Sequence, residues 1–361
     1  GLAGVLGALV ALVGIVDSFN RTIDQVRTET AGQTPQRLTA TLDNFYPVSG
    51  PEIGRIARVA GAKATEPRLT MLGQMSANGQ SVGAAISTQN PNSTVWRPQL
   101  KGGTLPQQSD GIIISEKAAS DLQVGLGDEV RLQTPSRSKA TGLALATNTV
   151  RVSGIDANPF RVFAYVGEGF ASKVGLAGFA NNVAVVPRGG ANQADVQKTL
   201  VTLPGVATTS PVTADTDALS NTINQFKGII QVAAAAALVL AILMAFNLAG
   251  ITTDERRREY ATMFAYGLPV RSGLRIAVTE NMIVGVLGTM LGVIIGLLTI
   301  SWIIGSLFAE TWPEIGMIRY IAPSTWLITV LVGVVAVGLT PLLMAGRMRK
   351  MNIPDTLRVV E

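Results

Sequence analysis

Residues 228–251, GIIQVAAAAALVLAILMAFNLAGI, decide what kind of protein this is. The stretch holds no charge, and Gln231 and Asn247 are its strongly polar positions. About 20 apolar residues carry an α-helix across a bilayer, so it reads as a membrane span. Two further runs lie downstream: Met282 to Phe308, free of charge, and Trp326 to Met344, closed by Arg347, Arg349 and Lys350. Gly1 to Val16 is shorter than a crossing; it is expected to begin upstream of Gly1 and to end near Asp17. The reading is therefore four spans, at 1–17, 226–251, 276–308 and 324–346.

Composition agrees. Of 361 residues 47% are hydrophobic and 15% charged, against about 25% charged in ordinary soluble domains. Cysteine and histidine are both absent, which closes disulfide frameworks, thiolate and imidazole metal sites, and the Ser-His-Asp triad. The net charge of +5 comes from basic residues gathered beside apolar runs, and aromatics make up only 5%. That pattern argues against nucleic-acid binding. No G-x-x-x-x-G-K-[ST] phosphate loop occurs, so ATP is not expected to be handled by this chain in that way.

Orientation follows from basic residues in the short loops. Arg256, Arg257, Arg258, Arg271 and Arg275 lie between the second and third spans, and Arg347, Arg349, Lys350 and Arg358 in the tail. The loop at 309–323 has Arg319 against Glu310 and Glu314. Residues 252–275, the tail 347–361 and both termini are thus expected inside, and 18–225 outside. The expected fold class is a polytopic α-helical membrane protein with a large α/β extracytoplasmic domain between its first two spans.

That outer segment carries local signals. Asn78-Gly79 supplies the two positive φ angles of a tight hairpin within Arg68–Gln89. Gly111–Ile114 reads as a strand, after which Ser115 can cap a helix over Glu116–Leu122. Glu129–Gln133, Val150–Ile155 and Val183–Val186 are further strands. A faint repeat pairs the helix Ile53–Val59, Gly61 and Pro67 with the helix Val196–Leu203, Gly205 and Pro211. Two helix–strand units of this kind suggest a βαβ-type layer built from both ends of the domain, with a β-rich lobe inserted at about 90–180.

Two features of the membrane part could carry function. In Thr252–Gly267, Thr252 and Glu255 fit a capping box, and Asp254 and Glu255 suit the positive end of a helix dipole. Gly267 and Pro269 stop the helix. Arg256, Arg257, Arg258 and Glu259 charge its first half, and Tyr260, Met263 and Phe264 form an apolar face on its second. The pattern suits either an interfacial helix whose arginines meet anionic lipid or a docking helix for a cytoplasmic partner. In the third span Gly288, Gly292 and Gly296 repeat every four residues and clear one face for close approach of another helix. Glu280, at the membrane boundary, is expected as a structural anchor that reaches water or Arg275.

Together, Glu255, Arg256, Glu259, Ala265 and Gly267, then Glu280 and the glycine-rich third span, resemble the FtsX-like permeases of the MacB and LolC/LolE type, the membrane subunits of type VII ABC transporters. Their cytoplasmic stretch has the form E-R-x-x-E-x-x-x-x-x-A-x-G. Gly111–Ser115 through Val124–Val130 is similar to that family's strand–helix–G-D-x-V pattern, and Pro354–Arg358 to its closing segment. Tyr260 and Tyr266 are bulkier than the family pattern. The resemblance implies a MacB-like porter layer with an inserted lobe, and makes 252–267 a coupling helix. It also implies a non-catalytic subunit in a bacterial cytoplasmic membrane, paired with a second copy or a paralogue. A separate ATPase dimer would use ATP and Mg and drive an extracytoplasmic domain that grips an unidentified ligand. An importer-type conduit, and a scaffold activating a cell-wall hydrolase, stay open beside this reading.

Overall fold

A computed structural model describes residues 2–32, 34–107, 109–138, 142–331 and 333–334. In chain order these form α1 (Leu2–Ala31), β1 (Leu38–Pro47), α2 (Pro51–Ala57), β2 (Ala62–Arg68), β3 (Thr70–Ala77), β4 (Gln80–Gln89) and β5 (Leu100–Gly103). Next come β6 (Gly111–Ser115), α3 (Glu116–Leu122), β7 (Glu129–Ser138), β8 (Gly142–Asp156), β9 (Phe163–Gly167), α4 (Phe170–Lys173), β10 (Phe179–Pro187), α5 (Gln193–Val201) and β11 (Val206–Pro211). The remainder is helical: α6 (Ala214–Glu255), α7 (Arg257–Ala265), α8 (Val270–Trp302), a π-helical segment (Ile303–Phe308), α9 (Ala309–Thr311) and α10 (Pro323–Leu331). The chain divides into two units, one of residues 21–221 and 311–318, the other of the rest.

The first unit holds two sheets. One has four strands in the order β11-β1-β10-β2, all neighbours antiparallel. α2 connects β1 to β2 and α5 connects β10 to β11, so each β-α-β unit is split by a strand of the other, as in ferredoxin-like layers. The faint repeat corresponds to these two units: Gly61 and Gly205, just before β2 and β11, both have positive φ (88° and 89°). Leu38, Ala40, Val183 and Val185 from the sheet pack on Ile53 and Ile56 of α2 and Val196 and Leu200 of α5.

The second sheet runs β5-β8-β6-β9-β4-β3-β7, and β7 pairs back onto β8. The long β8 uses Gly142–Arg151 against β7 and Arg151–Asp156 against β6. The ladder therefore closes into a six-stranded barrel with β5 added outside, which removes the open edges that a sheet of this size would expose. Alternate residues point inward: Met71 and Met75, Val82, Ala84 and Ile86, Ile112 and Ile114, Val130 and Leu132, Val150 and Val152. Leu122 and Ala118 of α3 join this core. Asn78 and Gly79 take φ of 50° and 77° in the β3–β4 turn, and the Ser115 side chain accepts the Ala118 N–H at the start of α3.

One boundary is corrected. The inserted lobe was expected from about 90, yet the β3–β4 hairpin belongs to the barrel, which draws its strands from Thr70 to Gly167. The hairpin's alternation serves the barrel interior; Leu69, 1% exposed, is where the chain changes sheets.

Among the described residues three helices are long and apolar enough to cross a membrane: Ala3–Ala31, Lys227–Met244 and Arg271–Thr311. The expected fourth span begins in α10 and continues, with the tail, outside the described residues. Helix α1 continues past the expected end of the first span near Asp17 and ends at Ala31, where Gly32 takes φ +53°.

Candidate functional site

The segment 252–267 folds differently from the capping-box reading. Helix α6 continues through Thr252 to Glu255, so Thr252 lies inside a helix rather than at an N-cap. No proline lies between Ala214 and Glu255 to stop α6 ahead of Thr252. The break falls at Arg256, and α7 starts at Arg257. At its other end Gly267 has φ +86°, and the Leu268 N–H reaches back to the Met263 carbonyl at 3.1 Å, a six-to-one Schellman bond. Pro269 then caps α8.

Arg256 is committed inside the chain. Its guanidinium donates to Glu280 at 2.7 Å, across the α6–α7 break to α8. Glu280 thus pairs with Arg256 rather than Arg275, and the pair pins the start of α7 to the third span. Ala261 on α7 and Ala277 on α8 are both buried. On α7 Glu259 and Ala265 are exposed and Met263 is half-buried; beside it Glu255, at the end of α6, and Tyr266 and Gly267, just past α7, are exposed, Tyr266 by 84%. The side chains of Asp254, Arg257, Arg258, Tyr260 and Phe264 lie outside those described.

The glycines of the third span meet the first. A Cβ at Gly292 would lie 2.8 Å from Leu6 Cβ, and one at Gly296 2.7 Å from Val10 Cβ. Gly7 answers from α1, where a Cβ would lie 2.9 Å from Ile295 Cγ2. This is close helix packing through small residues, with Gly7 the partner that the sequence reading overlooked. Gly288 is half-buried. Thr289, also on α8, faces Gly333 of the expected fourth span, and its Oγ1 leaves no space there for a Cβ.

Two polar residues of α1 hold the start of α10. Asp17 accepts the Ala322 N–H at 2.9 Å and the Thr325 hydroxyl at 2.7 Å. Ser18, fully buried, accepts the Tyr320 N–H at 3.1 Å. A carboxylate that receives the free N–H groups of a helix start is stabilised there. The sequence showed Asp17 only as the end of an apolar run.

In the first unit the end of α1 is clamped. The Trp96 indole donates to the Glu29 carbonyl at 2.9 Å, and Arg37 donates to the Thr30 carbonyl at 2.7 Å, so two last-turn carbonyls are satisfied by side chains. Arg37 and Arg68 each lie over the Trp96 ring, at 5.2 and 5.3 Å. Arg68 in turn pairs with Glu66 at 2.8 Å, and Glu66 accepts from the Ser93 hydroxyl. The loop carrying Trp96 also lines a cavity of about 800 Å³ with Gly32, Asn92, Arg97, Gln99 and Leu105. The two helices that enter this unit are joined by the Arg27–Asp217 ion pair. Among the described residues no group of three or more carboxylates converges as a metal site.

Asp156, at the end of β8, is 2% exposed. Burial holds its carboxyl up at about 7; the Asn158 N–H, 3.0 Å away, opposes the rise and the Glu29 carboxylate adds to it. An unfolded aspartate titrates near about 4. Folding therefore favours the protonated form, and Asp156 contributes stability below about pH 4 that is lost as pH rises through 7. Asp156→Asn keeps an acceptor for Asn158 and removes the charge. It should stabilise the full chain at pH 8 by up to about 4 kcal/mol, and by much less at pH 4. Thermal unfolding at the two pH values checks this; an equal shift at both would contradict it.

Residues 232–353 match the family model described as FtsX-like permease C-terminal. No curated protein sequence matches. Among solved structures, the extracellular domain of the noncanonic ABC-type transporter YknZ from Gram-positive bacteria is 16% identical with a TM-score of 0.32, covering 45% of this chain and 91% of its own. The periplasmic region of MacB from Actinobacillus actinomycetemcomitans is 14% identical with a TM-score of 0.33, covering 56% of this chain and 95% of its own. At these scores neither decides the fold, which rests on the strand order and pairing above.

Proposed function

We propose that this chain, with its FtsX-like permease C-terminal domain, is the membrane subunit of an ABC transporter that moves its outer unit with force supplied by a separate ATPase. The observation that carries the reading is α6. It is unbroken over 42 residues, from the outer unit's edge at Ala214 to the short exposed helix α7. At 1.5 Å per residue that is a rod of about 60 Å. A push on α7 passes to α6 through the backbone and to α8 through Arg256–Glu280. The outer unit receives α6 and the clamped end of α1, joined by Arg27–Asp217.

In this reading α7 docks on the ATPase through Glu259, Met263, Tyr266 and Gly267, and residues 252–275 lie in the cytoplasm of a bacterium. The outer unit lies beyond the membrane and holds a ligand. The chain itself has no catalytic role, and a second copy or a paralogue completes the assembly on the ATPase dimer. Ile229, Val232, Val239, Leu240 and Leu243 of α6 are exposed, which suits contact with lipid or with that second subunit.

Glu259→Arg combined with Tyr266→Ala tests the docking surface. ATPase co-purified with the full chain from membranes should fall at least tenfold, while the thermal midpoint of the chain stays unchanged. Undiminished co-purification would show that α7 is not the contact.

A further inference from the structure

The segment between the third and fourth spans is built into the outer unit. Residues 311–318 cluster with 21–221. The Arg161 N–H donates to the Glu314 carbonyl at 3.0 Å, and the Gly316 N–H to the Pro159 carbonyl at 2.8 Å. Phe160 and Ile315 form an antiparallel bridge between these bonds. The segment therefore adds a short strand-like pairing along the β8–β9 turn of the barrel. Two residues on, the Ile318 N–H donates to Thr22 Oγ1 of α1 at 3.0 Å. The same few residues thus hold the barrel turn and the α1 helix at once.

The fit leaves no slack at Gly316. A Cβ there would lie 3.2 Å from both Lys117 Cβ and the Pro159 carbonyl oxygen. The turn it grips is itself braced: Arg161 donates to Asp121 of α3 at 2.9 Å, and Asp121 also pairs with Lys117. These two ion pairs are about four-fifths buried, so they are screened less than surface pairs. Backbone hydrogen bonds in a row, with a braced acceptor turn, make a tether rather than a casual contact.

We propose that residues 311–318 are a strap that ties the barrel turn to α1 and stays engaged throughout the working cycle. The strap continues in the chain into α9 on one side and α10 on the other. The third and fourth spans then pull on the barrel directly, beside the route through α1 and α6. The force-transmitting part of this inference rests on the proposed function; the permanent tether does not.

The chain has no cysteine of its own, so Lys117→Cys with Gly316→Cys reports the strap cleanly. Their Cβ separation is slightly under the usual disulfide range of about 3.5–4.5 Å. The bridge should form in most chains in native membranes, with equal yield without nucleotide, with ATP, and with ATP plus vanadate. A yield that collapses in any of these states overturns the proposal. A second variant, Thr22→Val with Gly316→Val, should raise hydrogen exchange at the Arg161 amide at least tenfold. The amide of Ala118, capped by Ser115, should not change. Unchanged exchange at Arg161 also overturns the strap. If an ATPase co-purifies, its turnover should fall several-fold in this variant with co-purification intact; turnover at the parent level would remove the force-transmitting role. Loss of co-purification in parent and variant alike counts against the docking reading alone, because cross-linking and exchange decide the strap without it.

Discussion

Gly292→Leu combined with Gly296→Leu should strip the first span from the third and leave a full chain that no longer purifies as a single species. The reason is distance. Even a methyl at these positions would fall 2.8 and 2.7 Å from the Cβ atoms of Leu6 and Val10, and 3.0 Å from the carbonyl oxygens of Ala3 and Gly7. Backbone on the facing helix cannot rotate away as a side chain can, so the helices must separate. Overpacking a close contact costs about 1–3 kcal/mol per site, and two sites on one seam add the loss of the seam itself. Within a bilayer no hydrophobic effect pulls the helices back together, since lipid tails are as apolar as leucine. Gly4→Leu is the control. Gly4 lies on α1, one turn before Gly7, with nothing within 4 Å of its Cβ position, and should be tolerated. Size-exclusion profile and thermal midpoint in detergent decide the matter. If the double leucine variant matches the parent, α1 and α8 do not pack through these glycines.

Trp96→Ala should cost about 3–5 kcal/mol, the range for emptying a buried aromatic site. The ring is 9% exposed and packs at 5.3 Å from Tyr165. Its loss removes the indole donor from the Glu29 carbonyl and strips Arg37, 4% exposed, of the ring beneath its guanidinium. Burial already pulls the Arg37 guanidinium down to about 10, with Arg68 adding to the strain. It remains charged at neutral pH, so a weaker environment is felt at once. Trp96→Phe keeps a ring and loses the hydrogen bond, and should cost only about 1 kcal/mol beyond the smaller packing area. The readouts are the thermal midpoint of the full chain and hydrogen exchange at Thr28–Ala31. Both variants behaving alike would mean that the ring is passive filling and that the α1 end is held elsewhere.

Much of the molecule was legible where the cause is local. Asn78-Gly79 announces its turn because two successive positive φ angles suit few other pairs. Ser115 announces α3 because its hydroxyl reaches an amide three residues on. The paired glycines at 61 and 205 exposed a repeat that strand order now explains. Where a local signal failed, another local force overrode it. Thr252–Glu255 has the spelling of a capping box, but nothing upstream breaks α6, and an established helix propagates through such a sequence. Arg275 was a reasonable partner for Glu280 because it lies on the same stretch of chain. Arg256, 24 residues away in sequence, is the one the fold brings within reach.

The sequence by itself determined that the chain carries helices long and apolar enough to cross a membrane, where three of them lie, which stretch joins the second to the third, and that an α/β segment separates the first two. Each of these follows from runs of apolar residues, from charge next to them, or from turn chemistry, and all are read within a few residues of the chain. Only the tertiary structure decided that the hairpin at 70–89 serves a closed barrel, that Gly7 answers Gly292 and Gly296, and that Asp17 and Ser18 hold α10. The clamp on the end of α1 and the strap at 311–318 belong with these. They are pairings of groups far apart in sequence, chosen by which backbone N–H and C=O groups are left unpaired once the helices and strands have formed.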